Sequence, residues 1–161
     1  MAKTYESIAT TTLGSAAASV TFSSISGGYT DLICVVSGKN SASSARIDVQ
    51  FNSDTASNYS YTRLQGDGSS ATSNRASSAA YIIIGTLTTE QNTVIAQINN
   101  YANTTTYKTS ISRWNASNGT VGTSVGLWRS TSAINAIKFT AGADNLAAGM
   151  TITLYGIKKA A

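Results

Sequence analysis

Alternation of apolar and polar residues along short segments is the feature that most limits the folds open to this chain. It is clearest in residues 149–159, where Ile152 and Leu154 alternate with Thr151 and Thr153. A period of two is typical of a β-strand with one buried face. We expect this segment to be a central strand that pairs with earlier strands and closes the sheet.

Segments of the same kind recur along the whole chain. About ten short segments with strand character follow one another at intervals of roughly 8–15 residues, separated by clusters of Gly, Ser and Asn. No segment keeps a helical period over three turns, and no repeat of fixed length is present. The spacing therefore predicts an all-β protein, a sandwich or barrel, and disfavours propellers and solenoids.

Two segments carry further structural predictions. Residues 29–37 contain the continuous apolar run 32–36, which predicts a strand covered on both faces. Residues 66–78 are rich in Gly, Ser and Asn and predict a long loop. We expect residues 1–161 to form one domain, with residues 1–12 as a polar N-terminal arm in which residues 3–12 form a weak strand along the sandwich.

Charge and composition exclude several classes of function. Only 11% of the residues are charged, and the basic residues are scattered apart from Lys158 and Lys159, so we expect no nucleic-acid partner. No apolar run approaches the ~18 residues of a membrane span, and the N-terminus lacks the apolar region of a signal peptide. The chain has no proline, which often protects sheet edges, so we expect the edges to be covered in another way, of which assembly with neighbouring copies is one.

The side chains needed for catalysis are scarce. The chain has no histidine, which excludes Ser-His-Asp and Cys-His triads and histidine metal sites. Cys34, the single cysteine, lies in an apolar run and is expected to be an inert core thiol. We therefore predict a protein that is not an enzyme and that carries no cofactor or metal.

Two groups of acidic residues leave alternatives open. Asp54 and Asp67 flank one predicted strand and are the best available pair for glycoside hydrolysis, which needs two carboxylates about 5–10 Å apart. The alternative is that both are solvated turn residues. Residues 52–55 offer one acid and neutral oxygens, a pattern that suits a side-chain-capped turn better than a calcium loop.

Large aromatic residues are the candidate ligand contacts. Tyr59, Tyr61 and Trp114 are the candidate glycan contacts, with Trp128 as a further aromatic of this kind, because rigid aromatic faces stack well on sugars. The alternative is that these side chains belong to the core, where large aromatics are commonly found.

Four segments resemble a known family. They are YESIATTTLGSAAASVTFSSISGGYTDL, FNSDTASNYSYTRLQGDGSS, VGLWRSTSAI and AAGMTITLYGIK, in that order and spread over nearly the whole chain. They are similar to small β-sandwich virion structural proteins of tailed bacteriophages, a family that includes capsid decoration (cement) proteins and the C-terminal domains of tail fibres. The sequence departs from that pattern at Ser26, where proline is usual.

The resemblance implies a non-enzymatic, antiparallel β-sandwich of jelly-roll type, with about ten strands, on the outer surface of a phage particle. Since no shaft-forming segment precedes Tyr5, we expect a capsid decoration protein that binds the major capsid protein as a homotrimer, docking through residues 1–12 and exposed loops. The alternative is a tail-fibre or tail-tip module that recognises glycans of the host surface.

Overall fold

The computed structural model describes residues 4–158 and shows only strands, turns and irregular segments there. Twelve strands form within this range, two more than the approximate number predicted. They are β1 (Tyr5–Thr12), β2 (Ser19–Phe22), β3 (Tyr29–Gly38), β4 (Ala45–Phe51), β5 (Tyr59–Gly66), β6 (Ala71–Ala79), β7 (Ile82–Leu87), β8 (Asn92–Asn99), β9 (Lys108–Asn115), β10 (Val121–Trp128), β11 (Ile137–Ala141) and β12 (Thr151–Lys158).

The strands form two antiparallel sheets of unequal size. The larger has eight strands in the order β1-β12-β3-β8-β9-β10-β5-β6, and the smaller has four in the order β2-β11-β4-β7. The protein is an antiparallel β-sandwich of the jelly-roll type, which confirms the predicted fold class. Its closing strand β12 lies between β1 and β3, which confirms the prediction of a central strand that pairs with earlier strands. Lys159 lies outside the described residues.

The core fills the space between the two sheets. Ile152 and Leu154 of β12 are fully buried, whereas the residues that alternate with them are partly exposed. They belong to the same buried cluster as Val36 of β3 and, from the smaller sheet, Phe139. Burial of each such side chain contributes roughly 1.5–3 kcal/mol relative to exposure, and the alternation in β12 gives this strand one side for that purpose.

Cys34 lies in this core, as predicted. Its side chain is 1% exposed, and burial raises the pKa of the thiol to about 12. A thiol that stays protonated is a poor nucleophile and a poor metal ligand. Cys34 therefore acts as a small apolar residue.

One sequence prediction is wrong in detail. Most of residues 66–78, predicted to be a loop, belongs to β6, which pairs with β5 at the edge of the larger sheet. The N-terminal segment agrees with the strand expected there, because residues 5–12 form β1 at the opposite edge, paired with β12. Residues 1–3 lie outside the described part of the chain. Backbone pairing holds both edge strands in place although neither has a strongly apolar side.

Candidate interaction surface

The side of the larger sheet that faces away from the core is left uncovered by the rest of the described chain. On this side, which we call the open face, neighbouring strands bring outward-pointing side chains into two rows. The first row consists of Tyr155, Ile33, Gln97, Ile111, Val125 and Thr62. The second row consists of Thr153, Val35, Ile95, Arg113, Thr123 and Leu64.

The open face is apolar although it is exposed. The exposed fractions are 48% for Ile111, 53% for Val125 and 55% for Leu64. The outward side of the smaller sheet is different, since Thr21, Lys138 and Gln50 lie next to one another there. Scattered apolar residues are normal on a protein surface, but a contiguous apolar area of this kind marks an interaction site.

Local sequence explains why this area is apolar. In β3, Leu32, Cys34 and Val36 point into the core, while Ile33 and Val35 point outward and are half-buried. The prediction that both faces of this strand are covered is therefore wrong within the described chain, because the smaller sheet packs on one face only. Strand β3 therefore has apolar residues on both faces, but only one of its faces is covered.

Three adjoining depressions shape the open face. The first, about 520 Å³, is lined by residues of six strands that include Tyr5, Ile33, Ile111 and Tyr155. A second of about 760 Å³ lies toward β5 and β6, and a third of about 240 Å³ lies beside Ile95. All three are bordered by Arg113.

Arg113 supplies the charge in the middle of this apolar area. It lies in register with Ile95 on one side and Thr123 on the other. The two ion pairs formed among residues 4–158 are Arg46–Asp48 and Lys158–Glu6, so the Arg113 guanidinium has no carboxylate partner there.

At the rim of the open face lies Asp31. Its carboxylate accepts hydrogen bonds from the Asn100 backbone N–H at 2.7 Å and from Gln97 Nε2 at 3.3 Å. The Asp31 carboxylate therefore already accepts hydrogen bonds from neighbouring residues of the same chain.

Two of the three predicted glycan contacts are core residues. Tyr59 is 0% exposed, stacks on Trp128 with ring centres 6.2 Å apart, and its hydroxyl donates to the Asp54 carbonyl at 3.1 Å. Trp114 is 4% exposed and packs against Gly122. The prediction is wrong for both, because a buried ring offers no face to a sugar.

The third candidate, Tyr61, is half-buried and stacks on Tyr81 with ring centres 6.5 Å apart. Arg46 lies over the other aromatic of this pair, 4.6 Å from the centre of the Tyr81 ring. Tyr61 is thus part of an aromatic and cationic stack at the edge of the sandwich, and lies apart from the rows of the open face.

The predicted carboxylate pair is not brought together. Asp54 precedes β5 and Asp67 follows it, and a strand of eight residues spans about 26 Å, far more than the separation glycoside hydrolysis needs. Trp128 Nε1 donates to Asp54 at 2.7 Å, and backbone N–H groups of Ser69 and Ser70 donate to Asp67. The bonds from Ser70 and Ser69 lower the pKa of Asp67. Both acids are turn residues, which agrees with the alternative interpretation of this pair.

Residues 52–55 likewise form a turn. Asn52 adopts a φ of 51°, and its side-chain oxygen accepts backbone N–H groups of Asn135 and Ala136. Within residues 4–158 no three His, Cys, Asp or Glu side chains cluster as a metal site would require. No helix of membrane-spanning length and apolarity occurs in this range either.

Comparison with known proteins finds similarity to solved structures, but not to family models or curated proteins. No protein-family model matches the chain, and no curated protein matches it. Among solved structures, galectin LEC-6 of Caenorhabditis elegans is 10% identical, with 87% of this chain and 90% of that chain covered and a TM-score of 0.34. A single mutant of congerin II is 12% identical, with 83% and 98% covered and a TM-score of 0.39. The alginate lyase Aly36B is 10% identical, with 91% and 76% covered and a TM-score of 0.39. Similarities this distant carry no information on function.

Proposed function

We propose that the chain is a structural protein of the outer surface of a bacteriophage particle, and that it decorates the capsid by binding the major capsid protein. The observation that carries this proposal is the open face, because an apolar sheet surface with few charges is suited to protein–protein contact. The four segments that resemble phage virion proteins support the same assignment. The mechanism is burial of surface and needs no catalytic group.

The size of the open face is adequate for such a role. Eight strands spaced about 4.8 Å apart, each of about eight residues, give a surface of roughly 34 by 26 Å, or about 800–900 Å². A stable protein–protein interface buries about 800 Å² on each partner. One sheet face of this chain can therefore supply a whole interface.

We include a homotrimer in the proposal. The outer edges of β1 and β6 carry unpaired backbone groups, and β6 is nine residues long with one charged side chain, Arg75. Such edges are normally covered. In the proposed trimer β6 pairs with β1 of the next copy, a head-to-tail contact that forms a ring when its rotation closes after three copies. Sedimentation of the free protein should then give three times the chain mass of 16.6 kDa.

The test is the binding of the purified protein to phage heads that lack it. We expect saturable binding, with copies per head on the order of hundreds, as a symmetric lattice requires, and a higher temperature of DNA release from the decorated heads. Copy number follows from gel densitometry. A handful of copies confined to tails would favour the alternative tail module, and absence of binding to heads would refute the proposal.

A matched pair of variants shows whether the open face is the surface that binds to phage heads. Val125→Asp places a charge in the apolar rows, whereas Thr21→Asp places the same charge on the outward side of the smaller sheet. The first should abolish binding to heads and the second should leave it unchanged. Equal binding by both would show that another surface docks.

A further inference from the structure

The position of Arg113 limits what can cover the open face. Its side chain lies between Ile95 and Thr123 in the second row, two residues after Ile111 on β9, and it borders all three depressions. Any partner that covers the apolar rows must also cover this guanidinium.

Covering Arg113 removes water from a charge that is always present. A buried charge without a partner is strongly unfavourable, whereas a charge paired with an anion in good geometry is tolerated. The planar guanidinium matches a carboxylate with two parallel hydrogen bonds, which makes this the preferred partner at a protein interface. The occupant is therefore apolar and carries an acid at one position.

A second copy of this chain does not meet that requirement in its own rows. The twelve residues that form the two rows include no Asp or Glu. Asp31 at the rim is already bonded to Asn100 and Gln97. Two open faces stacked row on row would bury two guanidinium groups without a carboxylate, although the area alone would suffice for a dimer.

We propose that the open face binds an apolar segment of the capsid subunit that carries an aspartate or a glutamate, and that this carboxylate pairs with Arg113. This inference rests on the proposed function and adds to it the chemistry of the partner and the residue that selects it. The isoleucine, valine and leucine side chains supply contact area. Arg113 fixes the register, because displacement of the segment leaves both charges unpaired.

The first experiment compares charge-matched variants in the head-binding assay. Arg113→Gln should weaken binding at least about tenfold, because it leaves the partner's carboxylate buried without a cation. Arg113→Lys should recover part of the loss, and Lys138→Gln, which removes one positive charge from the other sheet, should bind as the unaltered protein does. If the unaltered protein binds and Arg113→Gln binds equally well, the pairing is refuted and capsid decoration stands. If the unaltered protein does not bind, the proposed function itself fails.

The second experiment identifies the occupant directly. A photoreactive amino acid at position 111 lies in the first row, beside Arg113, and is cross-linked after the protein has bound to heads. We expect the linked peptide to come from the major capsid protein and to contain an Asp or Glu among apolar residues. A link to a second copy of this chain, or to a capsid segment without an acid, would overturn the inference.

Discussion

At the residue scale, Gly122 shows how closely the interior fits Trp114. A Cβ at position 122 would lie 2.3 and 2.6 Å from two ring carbons of Trp114 and 2.8 Å from the Leu64 carbonyl oxygen. These atoms have little room to move, because the ring is buried and the carbonyl belongs to β5. The φ of Gly122 is not in the left-handed region, so backbone conformation does not require a glycine here. Close packing against Trp114 is the reason that position 122 needs a glycine.

We expect Gly122→Ala to lower the free energy of unfolding by about 1–3 kcal/mol, the usual effect of overpacking. Thermal unfolding followed by circular dichroism measures the change. The matched control is Gly14→Ala, because a Cβ at position 14 meets no atom within 4 Å. A stability for Gly122→Ala equal to that of Gly14→Ala would show that Trp114 packs differently.

Asp48, a buried acid in the smaller sheet, is expected to make the free energy of unfolding depend on pH. It is 2% exposed, and Arg46 Nε donates to both of its carboxylate oxygens at 3.0 and 2.9 Å. Burial raises the pKa of Asp48 to about 6, although Arg46 and, more weakly, Arg63 act to lower it. The carboxyl is therefore harder to ionise in the folded protein than in the unfolded chain.

The sign of the pH dependence follows from that difference. Stability contributed by protonated Asp48 is complete below its unfolded pKa near 4 and is lost as pH rises through about 6, by on the order of 2–3 kcal/mol. Chemical denaturation between pH 4 and pH 7 should show this fall for the unaltered protein. In Asp48→Asn the fall over the same window should be absent, whatever the change in absolute stability. A fall of equal size in both proteins would contradict the assignment.

At the scale of elements, alternation predicts most strands and fails where it is weak. The closing strand β12 and the buried positions of β2 and β4 follow from the period of two. Strand β6 was missed because its sequence, ATSNRASSA, has no apolar side. It forms because β5 offers backbone hydrogen bonds at a sheet edge, a contact that residue patterns do not encode.

The candidate site was missed for a related reason. The continuous apolar run in β3 predicts burial on both faces, and sequence alone does not say which layer is absent. The sequence predicts aromatic residues as ligand contacts. However, Tyr59 and Trp114 are buried and fill the space between sheets of unequal width. Aliphatic residues such as Ile111 and Val125 lie on the open face, and their alternation does not distinguish a core side from an interaction side.

At the scale of the whole molecule, the sandwich has one polar and one apolar outer side. The larger sheet has a core side and an open face, and the neighbouring residues Val35 and Val36 of β3 lie on opposite sides of it. Val36 is fully buried between the sheets, whereas Val35 is half-buried on the open face, in register with Ile95. Replacing either by threonine keeps the branched shape and adds a hydroxyl, so the pair compares one chemical change on opposite sides of one strand.

Val36→Thr should lower the free energy of unfolding by about 1–3 kcal/mol, because its hydroxyl enters an apolar core without a partner. Val35→Thr should change it by less than about 0.5 kcal/mol, as is usual for surface positions. It should also reduce binding of an apolar dye, since the apolar area of the open face becomes smaller. Denaturant unfolding and dye fluorescence measure the two effects on the same samples. Equal destabilisation by both variants would mean that the open face is already covered within the chain, and it would remove the basis for docking there.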